Sequence, residues 1–566
     1  MRYINHPKII YLRFYIFLSL IFSLGISLYG QSNNHLISRT TTVIDGGTYA
    51  PGDTICLLTG AGGLEGEGEY FLFRNIHGTS SKPIVIINSG GQVKIITSHN
   101  YGIKFQNCSY IKMSGAGHSN FKYGIKVSHV QNGAGLSIDN LSTDVELENL
   151  EISNTPIAGI YAKTEPSCDL TSVRGNFTMY NIKIHDCYLH DIGEEGMYIG
   201  SSKYTGQAIV GCDTLLPHVI EGVQIYNNII ENTGWDGIQV SSTTKNCAIY
   251  NNIIRNDSYK ETQFQMSGIL IGGGSSCDCY NNMIFDGKGD GIDILGFGNH
   301  KIYNNLIVRA GKSYQPSFLP TNPYYQKHGI WVGHVDTKAN SEFLIYNNTI
   351  VSPKTYGLKL TNTQIGNYII KNNIIVDPGA YSVLGESSFM NISDGIRYQT
   401  ANNLLKGQIS DIQFQNSSAN NFDLKITSPA VNTGQNLSSF SYNLTFDILN
   451  RPRPYGNGYD IGAYESQESI NGISDNIING SISILQKVVP NPVNTSAAIK
   501  YDLPKAMRVN LYVVDELGRV IKTLVNEYQS PNTYQININK EMFNTGFYFL
   551  ILECNLGRFS EKFIII

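Results

Sequence analysis

Through the middle of the chain the apolar residues come in short alternating runs, not in helical stripes. Two kinds of run take turns. One has the form Ile225-Tyr226-Asn227-Asn228-Ile229-Ile230. The other opens on glycine, as in Gly237-Ile238-Gln239-Val240, Gly291-Ile292-Asp293-Ile294 and Gly329-Ile330-Trp331-Val332. Both are rich in β-branched residues, alternate over a few positions and are bounded by Gly, Asn or Asp, so each predicts a strand. The first kind is marked by a Tyr-Asn-Asn tripeptide at 226, 250, 280, 303 and 346, which continues as Lys371-Asn372-Asn373 and Ala401-Asn402-Asn403. Successive second asparagines are 24, 30, 23, 43, 25 and 30 residues apart. A fixed element with variable insertions at this period predicts a solenoid, and strand–turn–strand units without helices predict a parallel β-helix.

Equivalent residues of adjacent coils should stack about 4.8 Å apart. The second asparagines would then form a ladder inside a turn, their amides satisfying buried backbone groups. That role is structural, not catalytic. Ile184-His185-Asp186-Cys187-Tyr188-Leu189 aligns with Ile225 to Ile230 and places Cys187 at the head of the ladder. Glu148-Asn149-Leu150 belongs to an earlier coil, runs at 83–88, 94–97 and 102–105 read as the first coils, and 42–49 reads as a start.

The ladder serves as a ruler. Eight residues beyond it lie Glu195, Asp236, Asp290 and Tyr356, and alignment on the following glycine adds Ser267 and His328. Upstream, Tyr123 and Ala158 take the same place in this reading. Carboxylates and a histidine therefore gather in the middle coils. Glu194 and Lys327 stand beside them. Three residues beyond the column comes an outward strand position holding Tyr198, Gln239, Leu270, Asp293, Trp331 and Lys359. Rings, amides and carboxylates on a rigid face suit a carbohydrate. The longest insertions, 163–178, 201–218, 257–263 and 310–326, gather over these same coils, as loops around a binding cleft do. For any single Asp-Gly pair, turn chemistry is the plainer explanation.

Composition narrows the class. Charged residues make up 15% of 566, and the formal charge is −4. With no basic block, nucleic acid is not an expected partner. Arg2, Lys8 and Arg13, then an apolar run from Phe14 to Leu28, read as a secretory signal over residues 1–30. No later run is long enough to span a membrane, and a monomer is expected. Nine cysteines are compatible with an exported chain; Cys168 and Cys212, both in insertions flanking one coil, are a candidate loop-pinning pair, and most of the others are expected in the core. Residues 31–465 form the expected β-helix domain, 466–481 a linker, and 482–566 a small β-sandwich.

On the repeat at 226–403, the chain resembles the pectate-lyase-like, right-handed parallel β-helix superfamily of secreted bacterial proteins. The resemblance covers roughly residues 40–465, with 422–465 similar to the closing segment of such proteins. The tail has Pro490-Asn491-Pro492, a turn from Asp515 to Arg519, the strand Gly546-Phe547-Tyr548 and a basic-apolar end at Lys562 to Ile566. It resembles the type IX secretion system sorting domain of Bacteroidetes, which implies that secretion machinery as a partner and release or attachment at the cell surface. The fold expectation is thus all-β: a right-handed parallel β-helix followed by a small β-sandwich.

The functional expectation is a secreted protein that binds and cleaves an extracellular polysaccharide, as lyase or hydrolase. The alternative is a non-catalytic adhesin or glycan-binding solenoid. Glu195, Asp236, Asp290, His328 and Lys327 are the candidate catalytic residues, and Tyr198, Gln239, Asp293 and Trp331 the candidate substrate contacts. As a hydrolase, Asp236 and Asp290 would pair. As a lyase, Glu195 and Asp236 would neutralise a uronate, with Lys327 or His328 as base. Calcium is the candidate ion, with Glu194, Glu195 and Asp236 as its ligands. The chain lacks the full carboxylate and Gly-His-Gly set of the polygalacturonase-like hydrolases, and it lacks the Lys-Arg signature of the alginate- and chondroitin-cleaving lyases.

Overall fold

The computed structural model describes residues 33–467 and 485–565, apart from 38–40, 60–69, 320–321, 334–337, 339, 365, 380–388, 438–443, 487, 504–505, 516–518 and 555–556. The signal segment 1–30 and most of the 466–481 linker lie outside the described residues. Two compact units emerge: residues up to Ile412 with Ile461–Ala463, and Gln413–Asp460 with Tyr464–Ile566.

The first unit is a parallel β-helix. Each coil gives one strand to each of three sheets, of thirteen, twelve and eleven strands. One coil runs Gln224–Tyr226, Ile229–Thr233, Ile238–Val240, and the next coil pairs with it residue for residue. The solenoid starts earlier than residues 42–49, with Asn34–Ile37 paired to Thr54–Leu58. Inward-facing isoleucines, valines and leucines from all three sheets fill one continuous core.

The Tyr-Asn-Asn tripeptide carries three separate tasks. Its tyrosines stack outside the turn: Tyr226, Tyr250, Tyr280, Tyr303 and Tyr346 lie with ring centroids 4.8–4.9 Å apart and nearly parallel, and His185 caps the stack at 4.5 Å. Its first asparagine takes the left-handed conformation in every coil (φ 56° at Asn227, 56° at Asn251, 55° at Asn281), which asparagine tolerates better than most residues. Its second asparagine is the buried rung. Asn282 Nδ2 donates to Asn305 Oδ1 at 3.1 Å and to the Ile249 carbonyl at 2.9 Å, while its Oδ1 accepts from the Asn252 backbone N–H at 3.1 Å. The same pattern runs from Asn228 to Asn403, and Cys187 N–H donates to Asn228 Oδ1 at its head.

The glycine that opens the other run has its own reason. A Cβ on Gly291 would sit 2.4 Å from Ile307 Cγ2 and 2.5 Å from the Gly329 carbonyl oxygen of the next coil, so only glycine fits. Cys168 and Cys212 are joined by a disulfide, as the sequence suggests. A second disulfide, Cys247–Cys277, corrects the expectation of core thiols there: the two are in-register partners on adjacent coils, with Cα atoms 4.5 Å apart.

The second unit holds the C-terminal sandwich, with Ser496–Leu503 paired to Asn532–Asn539 and a four-stranded antiparallel sheet containing Met507–Asp515 and Gly546–Cys554. Asn491 of the Pro-Asn-Pro motif accepts from Ile564 N–H and donates to the Lys562 carbonyl, so the motif is tied to the final strand. Asp515 receives both the backbone N–H and the Nε of Arg519. In the 413–465 region, fully buried Arg453 pairs with Glu465 at 3.0 Å, and Arg451 bridges Asp423 and Asp447.

Candidate functional site

Strand pairing places Ala158, Glu195, Asp236, Ser267, Asp290, His328 and Tyr356 in one register column on the twelve-stranded sheet. Upstream the column continues to Ala134 and Tyr101, not to Tyr123. Tyr123-Gly124-Ile125-Lys126-Val127 imitates the glycine-led motif, but Ile125–Val130 belongs to the eleven-stranded sheet. The neighbouring column holds Tyr198, Gln239, Leu270, Asp293, Trp331 and Lys359 in register, as the sequence spacing requires.

These residues divide into two groups. Asp290, Asp293, Lys327, His328 and Trp331 open together into a cavity of about 590 Å³. Lys359 and Gln326 complete its floor, and Phe264, Tyr314, Phe318 and Tyr324 from the insertions wall it. That size lies within the range of small-ligand sites. Glu195, Asp236 and Gln239 stand in the same columns but are buried and do not line the cavity. The insertion after Arg255 covers their coils, with Ser258 N–H donating to the Trp235 carbonyl and Tyr259 N–H to that of Thr233. Tyr198 lies further up the solenoid, edge-on to Tyr161.

Within the cavity the electrostatics are set by burial and by two lysines. Asp290 Oδ1 accepts from the His328 backbone N–H at 2.5 Å, and Oδ2 lies 3.3 Å from Lys327 Nζ. Burial nevertheless raises Asp290 above the ordinary carboxylate value, against the pull of Lys327 and the His328 N–H. Asp293 is held well above that value, first by burial and then by the charge of Asp290. One of its oxygens, Oδ1, is buried with no hydrogen-bond partner. His328 is driven well below the usual imidazole value by burial and by Lys359 and Lys327, so it is neutral. Its Nδ1 is engaged with Thr355 Oγ1 at 2.9 Å, and its ring lies over Tyr356 at 5.4 Å. Lys359 Nζ donates to Gln326 Oε1 at 2.6 Å, and Trp331 Nε1 donates to Thr361 at 3.3 Å.

Outside the cavity, burial raises Glu195 to about 7 with help from Glu194, and raises Asp236 well above its ordinary value with help from Glu195 and Asp293. Asp257, at the start of the covering insertion, is likewise raised to about 7 by burial. Among the described residues, the oxygens of Glu194, Glu195 and Asp236 do not converge as a ligand set. The calcium reading does not fit these residues. Among the described residues the one convergent set is Glu146, Glu148 and His185, where Lys112 bridges both glutamates at 2.7 and 2.9 Å.

Two further residues matter here: Thr355, which fixes His328, and Lys359, which follows Trp331 in the outward column and reaches Gln326. Thr355 carries no motif; only the register that brings it beside His328 reveals it.

Residues 181–403 match the family model described as a right handed beta helix region, and residues 487–566 match a secretion system C-terminal sorting domain. Among solved structures, an alginate lyase from Paenibacillus sp. str. FPU-7 is 13% identical, with 59% of this chain and 99% of that chain covered and a TM-score of 0.39. A GH136 lacto-N-biosidase from Eubacterium ramulus is 12% identical, with 63% and 62% covered and a TM-score of 0.33. Tailspike protein 2 of bacteriophage CBA120 is 11% identical, with 91% and 72% covered and a TM-score of 0.32. No curated protein matches in sequence. No helix among the described residues is long and apolar enough to cross a membrane. The protein is secreted or held at the outer-membrane surface: its coils at 181–403 match a right-handed β-helix region, and residues 487–566 match a type IX secretion sorting domain.

Proposed function

We propose that the cavity around Asp290 and Asp293 binds and hydrolyses an extracellular polysaccharide. The observation that carries this reading is a pair of carboxyl groups, both raised by burial, opening into one aromatic-walled cavity. Carboxyl pairs of unequal acidity are the working parts of glycosidic hydrolysis. Asp293, protonated at neutral pH, gives its proton to the leaving glycosidic oxygen as the C–O bond breaks. Asp290, which faces Lys327 and accepts from the His328 N–H, takes a proton from the water that attacks the anomeric carbon. Its raised value makes it a stronger base than a surface aspartate. Tyr314, Phe318, Tyr324 and Trp331 offer faces on which sugar rings stack.

Elimination is less well supported. Lys327 Nζ is engaged with Asp290 at 3.3 Å, and the depressed His328 is a weak base. The deciding experiment is a polysaccharide panel assayed for new reducing ends and for the ultraviolet absorbance of an unsaturated uronate. Reducing ends without that absorbance are expected. The absorbance would instead establish elimination, and binding without either product would establish a glycan-binding solenoid.

A further inference from the structure

A second cavity, of about 670 Å³, lies on the twelve-stranded sheet near its N-terminal end. It takes no part in the chemistry above. Its floor is another register column, in which Asp45, Arg74, Gln106 and Asp139 succeed one another at the ends of four paired strands. Beside this column runs a rim of asparagines in the left-handed conformation: Asn75, Asn107 and Asn140 (φ 55°, 50° and 47°). Asn107 donates to Asn75 at 2.9 Å and Asn75 to Asp45 at 3.2 Å, which orients the amides as a row. The insertion at 163–172 forms the opposite wall, and the Cys168–Cys212 disulfide pins it.

The charge pattern selects the ligand. Every cation here has an acidic partner: Arg74 meets Asp45 at 2.5 Å, Lys163 meets Glu165 at 2.7 Å and Lys104 meets Asp139 at 3.0 Å. No positive field remains for a uronate or a sulfate. Asp139 uses Oδ2 for Lys104 and for Ser137 at 2.9 Å, while Oδ1 is buried with no partner. Such an oxygen is a ready acceptor for a hydroxyl. Tyr161 supplies a ring at the edge, held T-shaped against Tyr198 at 5.6 Å with Lys163 Nζ over both. A ring, a free carboxylate oxygen and a row of amides, without net positive charge, match an uncharged, hydroxyl-rich sugar.

We infer that this cavity is a second, non-catalytic glycan site, which holds a neutral, hydroxyl-rich sugar apart from the Asp290 cavity. The inference rests on the glycan reading of that cavity. From Tyr161 to Asp293 the register advances four strands, through Tyr198, Gln239 and Leu270, or about 19 Å along the sheet. The buried Gln239 and Leu270 lie between, so the two cavities are separate sites on one sheet, and a polymer that reaches both gains from two linked contacts.

The test uses the full chain bearing Asp293→Asn, so that polymer is bound but not cut, in affinity electrophoresis against neutral probes (a β-glucan, a mannan and a xylan) and acidic ones (alginate and polygalacturonate). At least one neutral polymer is expected to bind, with Tyr161→Ala or Asp139→Ala weakening it by about tenfold or more at unchanged melting temperature. Gln106→Ala replaces either variant that melts early. Binding that none of these changes weakens, or binding of acidic polymers only, overturns the inference. Neutral-polymer binding that Tyr161→Ala weakens, in a protein whose wild type cuts nothing, upholds this site and overturns hydrolysis at Asp290. Cleavage of a polymer whose binding ignores all three substitutions does the reverse.

Discussion

In the proposed hydrolysis, Asp293 is the residue on which the chemistry turns. Asp293→Asn keeps the shape and removes the proton donor, so reducing-end release should fall by about two to four orders of magnitude while polymer binding persists. Because the protonated form is the active one, wild-type rate should decline as pH rises through its elevated value. Glu195 allows a separate test of stability. Its folded value of about 7 exceeds the ordinary 4.5, so the folded chain holds this proton more tightly than the unfolded one. The associated stability is complete below the unfolded value and is lost as pH rises through the folded one, a change on the order of 3 kcal/mol. Melting temperature should therefore drop between mildly acidic and neutral pH, and Glu195→Gln should flatten that dependence.

At the scale of the coil, the asparagine rungs and the glycine column set the geometry. Asn282→Ala removes a buried side chain that makes hydrogen bonds to the coils on either side, and leaves the Asn252 N–H and the Ile249 carbonyl without it. A loss of about 2–5 kcal/mol is expected, read as a fall in melting temperature or denaturant midpoint. This layer of the structure was the most legible in sequence, because the Tyr-Asn-Asn and glycine-led motifs repeat at fixed offsets. Legibility failed where a motif imitated another sheet, as at Tyr123-Gly124-Ile125, and where a partner had to be found across coils. Cys247 and Cys277 each precede a ladder tyrosine by three residues, so the register did hold that pairing, though composition could not. The burial of Asp236 and Gln239 was not legible. A strand pattern tells which way a side chain points, but not whether an insertion from another coil lies over it.

For the whole molecule, the tail that matches a sorting domain can be tested apart from the coils. Deleting 485–566 removes the sorting domain, so the truncated chain should accumulate in the periplasm and not outside the cell; fractionation and immunoblotting would check this. Cys168→Ser should leave the core coils intact, because the bond ties two insertions, while making the 163–218 region more sensitive to limited proteolysis than the wild type under oxidising conditions.

The ladder's tolerance of unequal steps has a further consequence. Asn282 to Asn305 spans 23 residues and Asn305 to Asn348 spans 43, yet both pairs make the same rung-to-rung bond, at 3.1 and 3.0 Å. Roughly doubling a loop costs only about 0.6 kcal/mol in closure entropy. The aromatic wall at 310–326 can thus be lengthened, shortened or exchanged with little charge to the scaffold. In evolutionary terms, such a chain can acquire a new specificity by swapping the loop of a single coil, while the carboxyl pair beneath it is inherited unaltered.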